Sequence, residues 1–160
     1  MMIRRACADD LPVLLSIYET ARQFMVANGN PTQWPSGYIQ PGQLLADIEK
    51  GQLYVCADAA GVQAVFLFAP GPDATYAEIR QGHWPSDAPY HVIHRVASAG
   101  RVKGLLGQIL SWAAPLAPVL RMDTHADNKP MQHLLEKYGF VRCGLITVED
   151  GTERIAYQKG

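Results

Sequence analysis

Neither sign of charge is in excess in this sequence, cysteines are few, and no apolar stretch is long. Lys and Arg number 14 against 15 Asp and Glu, for a net charge of -1. The chain therefore has no general attraction for nucleic acid or an anionic membrane, and any recognition of phosphate must be local. Its three cysteines, Cys7, Cys56 and Cys143, are odd in number and widely spaced, which argues against a disulfide framework and against a metal-ligand cluster. They read as buried thiols in a reducing compartment, and no metal is expected. No apolar run approaches the length of a membrane-spanning helix, and the opening MMIRRACADD lacks the apolar core of a signal peptide. The expectation is a cytoplasmic protein. Repeats, low-complexity tracts and interdomain linkers are also absent. A chain of 160 residues that is 48% hydrophobic and 18% charged suits a single globular domain, residues 1–160, with its own core.

What is present alternates between the strand and helix periods. Residues 2–6 suit a short strand, and Asp9 or Asp10 can cap a helix with Pro12 in its first turn. Leu11, Leu14, Leu15, Tyr18 and Met25 follow helical spacing, with Phe24 and Met25 read as core. The segment 28–42, NGNPTQWPSGYIQPG, breaks regular structure while carrying Trp34, Tyr38 and Ile39, which either pack on the domain surface or wall a pocket. A brief helix through Leu44, Leu45 and Ile48 stops at Gly51. Residues 53–57 and 62–68 read as a hairpin, 75–79 as a further short strand, 81–89 as a loop bearing His83 and Trp84, and 90–97 as a strand. A helix with Leu105, Leu106, Ile109, Leu110 and Ala113 on one face follows, then a strand over 119–124. Next comes a helix headed by Asp127 or Asn128 with Pro130 in its first turn, stopped at Gly139, and finally strands over 140–148 and 154–158. The pattern predicts an α/β fold of the α+β kind, a mixed sheet flanked by helices.

The stretch SAGRVKGLLGQIL, residues 98–110, is the junction between a strand and a helix. A short basic turn with glycines at a helix start offers unpaired backbone N–H groups, the positive end of the helix dipole and cationic side chains to one anion. Phosphate is the obvious candidate, although such a turn can equally be no more than a turn.

The order of strand, basic Gly turn, helix, strand, Asn-headed helix and YGF before a final hairpin resembles the GNAT superfamily of acetyl-CoA-dependent N-acetyltransferases, over almost the whole chain. The family's first signature, Arg or Gln, two residues, Gly, one residue, then Gly or Ala, falls on Arg101, Val102, Lys103, Gly104, Leu105 and Leu106. Arg101 and Gly104 match; Leu106 takes the place of the small residue, with Gly107 one step later. The second signature is similar to residues 128–140, matching at Asn128, Leu134, Gly139 and Phe140. It departs at Met131, where the family has Ala, and at Leu135, where it has Tyr.

The resemblance implies the GNAT-like acyl-CoA N-acyltransferase fold, with acetyl-CoA as acyl donor. Its pyrophosphate is then expected on the backbone N–H groups from Arg101 to Gly107, helped by the charges of Arg101 and Lys103, which can otherwise be solvated loop charges. The pantetheine arm is expected along Val96, Ala97 and Ser98, where a free strand N–H can polarise the thioester carbonyl. Asn128 either reaches the cofactor arm or serves only as a helix cap.

An alkyl amine with a pKa near 10.4 needs a base or a desolvating pocket before it can attack. His94, read as sharing strand parity with Val96, and Glu78, read as lying on a neighbouring strand, are the first candidates; each can also be a structural polar residue. His125, His91 and His83 are weaker ones, suited instead to orienting substrate. Tyr138, one helical turn beyond Leu135, is the candidate acid if it is not simply core. Trp34, Tyr38, Tyr76, Trp84 and His125 are candidate walls of the acceptor site.

The favoured reading is an N-acetyltransferase acting on a primary amine of a small molecule or peptide by direct attack in a ternary complex. Two others stay open: a weak or inactive acyl-CoA-binding domain, and an interaction protein that keeps the fold. A homodimer is suggested by family analogy only.

Overall fold

The computed structural model describes residues 1–160. Seven strands form one sheet in the order β1-β2-β3-β4-β5-β7-β6. They are β1 Met2–Arg5, β2 Leu53–Asp58, β3 Gly61–Pro70, β4 His91–Ser98, β5 Leu120–Thr124, β6 Val141–Thr147 and β7 Glu153–Lys159. The helices are α1 Leu11–Ala27, α2 Pro41–Glu49, α3 Leu105–Ala113 and α4 Lys129–Lys137. All neighbours are antiparallel except β4 and β5. No helix is long and apolar enough to cross a membrane.

Two core layers of nearly equal size, 18 and 17 buried residues, cover the two faces of the sheet, so neither face is left to solvent. The first contains Leu105, Leu106, Ile109 and Leu110 of α3 and Leu135 of α4; the second contains Leu14, Ile17 and Tyr18 of α1 and Leu44 of α2. β3, buried along all but its two ends, runs between them as the apolar run 62–68 predicts.

Two features of the sheet make the site. First, β4 and β5 pair only at His91–Leu120 and Val92–Arg121, after which they diverge. The continuation of β4 loses its β5 partner, and a cleft opens at the carboxyl ends of the two parallel strands, where ligands bind in open α/β sheets. Second, β4 carries a β-bulge. His94 pairs with Leu67 and Ala97 with Val65, which leaves both Arg95 and Val96 opposite Phe66; Arg95 has φ +50. The extra residue reverses the alternation. Val92 and Ala97 join the α1/α2 layer, whereas Ile93 and Val96 face the α3/α4 layer. His94 and Val96 therefore face opposite sides of the sheet, and the expected common parity does not hold.

The 75–79 strand does not form either. Asp73 accepts hydrogen bonds from the Thr75 N–H at 2.9 Å and hydroxyl at 2.7 Å, starting a single 3-10 turn at Ala74–Tyr76. Glu78 is thus on an exposed loop and neighbours no strand of the cleft. Phe24 is 58% exposed rather than core, because it lies on the outer face of α1, and Cys7 is exposed rather than buried.

Candidate active site

The cleft between β4 and β5 encloses about 250 Å³ and is lined from both layers, by Trp34, Tyr38, His94 and Arg154 among others on one side and Val96 and Met131 on the other. His94 is its titratable centre. Its Nε2 lies 2.8 Å from Asp73 Oδ2, and its Nδ1 lies 3.6 Å from Asp123 Oδ2. Burial alone would raise the Asp73 carboxyl, but the hydrogen bonds from His94 and Thr75 outweigh it and hold the group at about 2. An ionised Asp73 only accepts, so Nε2 must donate to it, and the neutral imidazole then carries its lone pair on Nδ1, toward Asp123. Burial pushes the His94 pKa down; the Asp73 hydrogen bond and the charges of Asp123 and Asp73 push it up, and the sum is a raised value.

Asp123 is held in turn. Tyr76, buried beneath it, donates its hydroxyl to Asp123 Oδ2 at 2.6 Å. Burial first, then the Asp123 charge, raise the Tyr76 pKa well above its ordinary value, so this hydroxyl stays a donor. Trp84 donates its indole N–H to the Tyr76 carbonyl at 2.9 Å, and its ring covers the Arg121 guanidinium at 3.9 Å.

At the other end of the junction the backbone is open. Gly104 takes φ +76 at the head of α3, and the N–H groups of residues 101–107 find no acceptor within the protein. Leu106 does not obstruct them, since its side chain is buried in the α3/α4 layer. The glycine one step later is required by something else: a Cβ on Gly107 would stand 2.8 Å from the Tyr138 hydroxyl.

The comparisons with known proteins fit this geometry. The chain matches no family model and no curated protein. Among solved structures, a GNAT-family acetyltransferase from Streptococcus agalactiae 2603 superimposes with a TM-score of 0.90 at 29% identity, over 99% of this chain and 94% of that one. An acetyltransferase from Staphylococcus aureus Mu50 gives 0.72 at 27% identity, over 100% and 99%. The chain has the fold of the GNAT acetyltransferases, and its similarity to these enzymes supports an N-acetyltransferase. A GNAT-fold ribosomal-protein-alanine N-acetyltransferase from Brucella melitensis, at 20% identity and a TM-score of 0.62 over 99% of each chain, shares the fold alone.

GNAT enzymes use acyl-CoA, and the residues here fit such a donor. Seven consecutive unpaired N–H groups, residues 101–107, at the positive end of α3 suit a diphosphate, and Lys103 beside them is exposed. Arg101, although exposed, is turned to β3, where it donates to Gln63 Oε1 at 3.1 Å and to the Val62 carbonyl at 3.2 Å. The β4 edge at Val96, Ala97 and Ser98 has no β5 partner to occupy its backbone groups on that side.

Other sequence candidates fall differently. Asn128 lines the cleft, yet its amide is occupied: it accepts from Met131 N–H at 3.2 Å as the cap of α4 and donates to Gln33 at 3.1 Å. Tyr138 packs against α3 at Gly107 and does not line the cleft. His125 accepts from the Asp127 N–H at 3.0 Å and faces Thr32 at 3.4 Å, pinning the turn before α4 outside the cleft lining. Trp34, wedged between Tyr18 and Tyr38, and Tyr38 itself do line it, whereas Tyr76 and Trp84 act one step back, through Asp123. His83 is exposed on its loop and His91 stacks on Phe68.

Asp73 and Asp123 were not among the sequence candidates. Asp73 reads as a turn residue in PGPDAT, which it also is; Asp123 carries a usable signal, a carboxylate inside the predicted strand 119–124.

Replacing Asp73 tests the electrostatics. In Asp73→Asn the His94 titration, followed by NMR, is expected to move to lower pH, and the acid limb of turnover with it. The native pair also has a definite stability window. Asp73 contributes fully above its ordinary 3.8 and loses that as pH falls through about 2. His94 contributes fully below its ordinary 6.5 and loses that as pH rises through its raised folded value. The variant is expected to lose the most stability between those limits, and an equal loss at all pH values would contradict the ion pair.

Proposed function

We propose that this protein transfers the acetyl group of acetyl-CoA to a primary amine of a small molecule or peptide, by direct attack in a ternary complex, in the cytoplasm. The observation that carries this reading is His94, whose Nδ1 and the facing Asp123 carboxylate, 3.6 Å apart, are two acceptors with no donor between them. An ammonium group satisfies both.

Asp123, fixed by Tyr76, holds the ammonium by charge. His94 takes one proton of the ammonium on Nδ1, which frees the nitrogen lone pair, and Asp73 stabilises the imidazolium through Nε2–H; the second proton, lost as the amide forms, goes to the departing thiolate or to water. When bound, acetyl-CoA supplies the acetyl group: the nitrogen lone pair forms the C–N bond, the C–S bond breaks, and the electron pair leaves on sulfur as thiolate. A thiol with a pKa of about 8.5 leaves without obligatory protonation, so Leu135 in place of the family tyrosine is tolerable. Residues 101–107 hold the diphosphate, and Trp34 and Tyr38 wall the acceptor side from water.

Titration calorimetry with acetyl-CoA, followed by thiol release across a panel of amines, tests the reading. Saturable binding and amine-dependent release are expected. No binding at about 1 mM cofactor overturns it, and binding without release for any amine leaves a CoA-binding protein only.

A further inference from the structure

Four charged side chains are buried in this protein apart from the histidine site, and three have a compensating partner. Asp10 pairs with Arg4 at 2.8 Å and Asp47 pairs with Arg95. Arg121 lies between the rings of Trp84 and Tyr90, at 3.9 and 4.0 Å, outside the cleft lining. Arg154, 3% exposed, has neither a carboxylate within salt-bridge distance nor a ring over it, and it lines the cleft.

Its hydrogen bonds go to neutral oxygens only: Nη1 donates to Thr152 Oγ1 at 2.7 Å and to the Glu153 carbonyl at 3.3 Å, and Nη2 donates to the Gln33 carbonyl at 3.2 Å. A guanidinium has five N–H groups. Nε and one hydrogen of Nη2 are left without a partner, and these adjacent donors form the fork that binds a carboxylate through both oxygens. The nearby acids do not fill it. Glu149 lines the cleft without reaching Arg154, and Asp150 feels the Arg154 charge but bonds to Thr152. A buried cation without a counter-ion is costly unless a ligand provides one.

The register sets where that ligand would lie. Asp123 is opposite Ala156 in the β5–β7 ladder, so Arg154, two residues along β7, is its diagonal neighbour on the same face. Diagonal neighbours are about 7–8 Å apart, within the span of one small molecule once both side chains reach inward. Thr124, the next residue of β5, lines the same cleft with its buried hydroxyl unpaired.

We infer that the acceptor is a small amino acid, whose amine is held at His94 and Asp123 and whose carboxylate is gripped by the Nε–Nη2 fork of Arg154. This rests on the acetyltransfer reading above and adds the second anchor.

The test compares matched pairs, each a free amino acid and its carboxamide, as acceptors with acetyl-CoA. The native protein is expected to favour the free acid in kcat/KM by about 10- to 100-fold, the range of a lost charged hydrogen-bonding partner. Arg154→Gln is expected to reduce that ratio to about one, and Arg154→Lys, which keeps charge but not the fork, to leave it intermediate. The ratio is taken within one preparation, so it does not depend on how much of a variant folds, and acetyl-CoA affinity measured alongside reports on the fold. Equal use of acid and amide by the native protein, loss of both in parallel in Arg154→Gln, or acetylation of neither member of any pair overturns the inference. In each case unimpaired acetyl-CoA binding, with turnover of other amines, leaves the acetyltransfer reading standing.

Discussion

Replacing His94 by Gln is expected to lower kcat by about 10²- to 10⁴-fold, the range attributed to one general acid–base group. Acetyl-CoA affinity should stay close to that of the native protein. Gln retains a donor for Asp73, so the hydrogen bond at 2.8 Å can be kept while the titrating Nδ1 is lost. The acid limb of the pH profile should vanish with the rate, because the His94 pKa, raised above 6.5 by Asp73 and Asp123 against the opposing effect of burial, would no longer govern it. Steady-state kinetics across pH 5–9 on both proteins, with calorimetry for the cofactor, makes the measurement. A variant that keeps its limb and most of its rate shows that His94 is structural, and that the amine loses its proton to another group.

The second large effect is expected at the turn before α3. Gly104 has φ +76 and open space where a Cβ would stand, so Asn or Asp can replace it at the cost of a left-handed backbone, which those two residues tolerate best among side-chain-bearing types. Gly104→Asp places a carboxylate among the unpaired N–H groups of residues 101–107. At about 5 Å and an effective dielectric of about 20, repulsion between it and one phosphate charge is about 3 kcal/mol, or roughly a 100-fold loss of CoA affinity. Gly104→Asn carries the same strain without the charge and should lose little. Pantetheine, which lacks the diphosphate, should bind both variants alike. Equal losses of CoA in the Asp and Asn variants would place the diphosphate elsewhere.

These two expectations were legible in the sequence to different degrees. The basic Gly turn can be read directly because its properties are local: a helix start leaves N–H groups unpaired whatever packs around it, and Gly104 is the residue that permits φ +76 there. His94 was identifiable as a polar residue on a strand beside that turn, but its environment was not. Parity counted from Val96 gave the wrong face, because one inserted residue at Arg95 reverses every side chain beyond it and nothing in HVIHRVAS marks the bulge. Glu78 stands out in the sequence because a strand is predicted over 75–79, whereas the Asp73 side chain bonds Thr75 and starts a 3-10 turn there. The Leu106 departure leaves the N–H groups of the turn unobstructed for a reason only packing shows, since that side chain points into the core. Gly107 in turn is fixed by the Tyr138 ring from another helix.

By itself, then, the sequence determined the order of strands and helices, apart from one short strand, and the basic Gly turn at the head of α3, because hydrophobic period, caps and helix ends are properties of neighbouring residues. Only the tertiary structure decided which carboxylates face His94 and that Arg154 lies on the face of Asp123 with no counter-ion. Asp73, His94, Asp123 and Arg154 come from four segments that meet only where β4 and β5 part, and no local pattern carries a contact between residues so far apart in the chain.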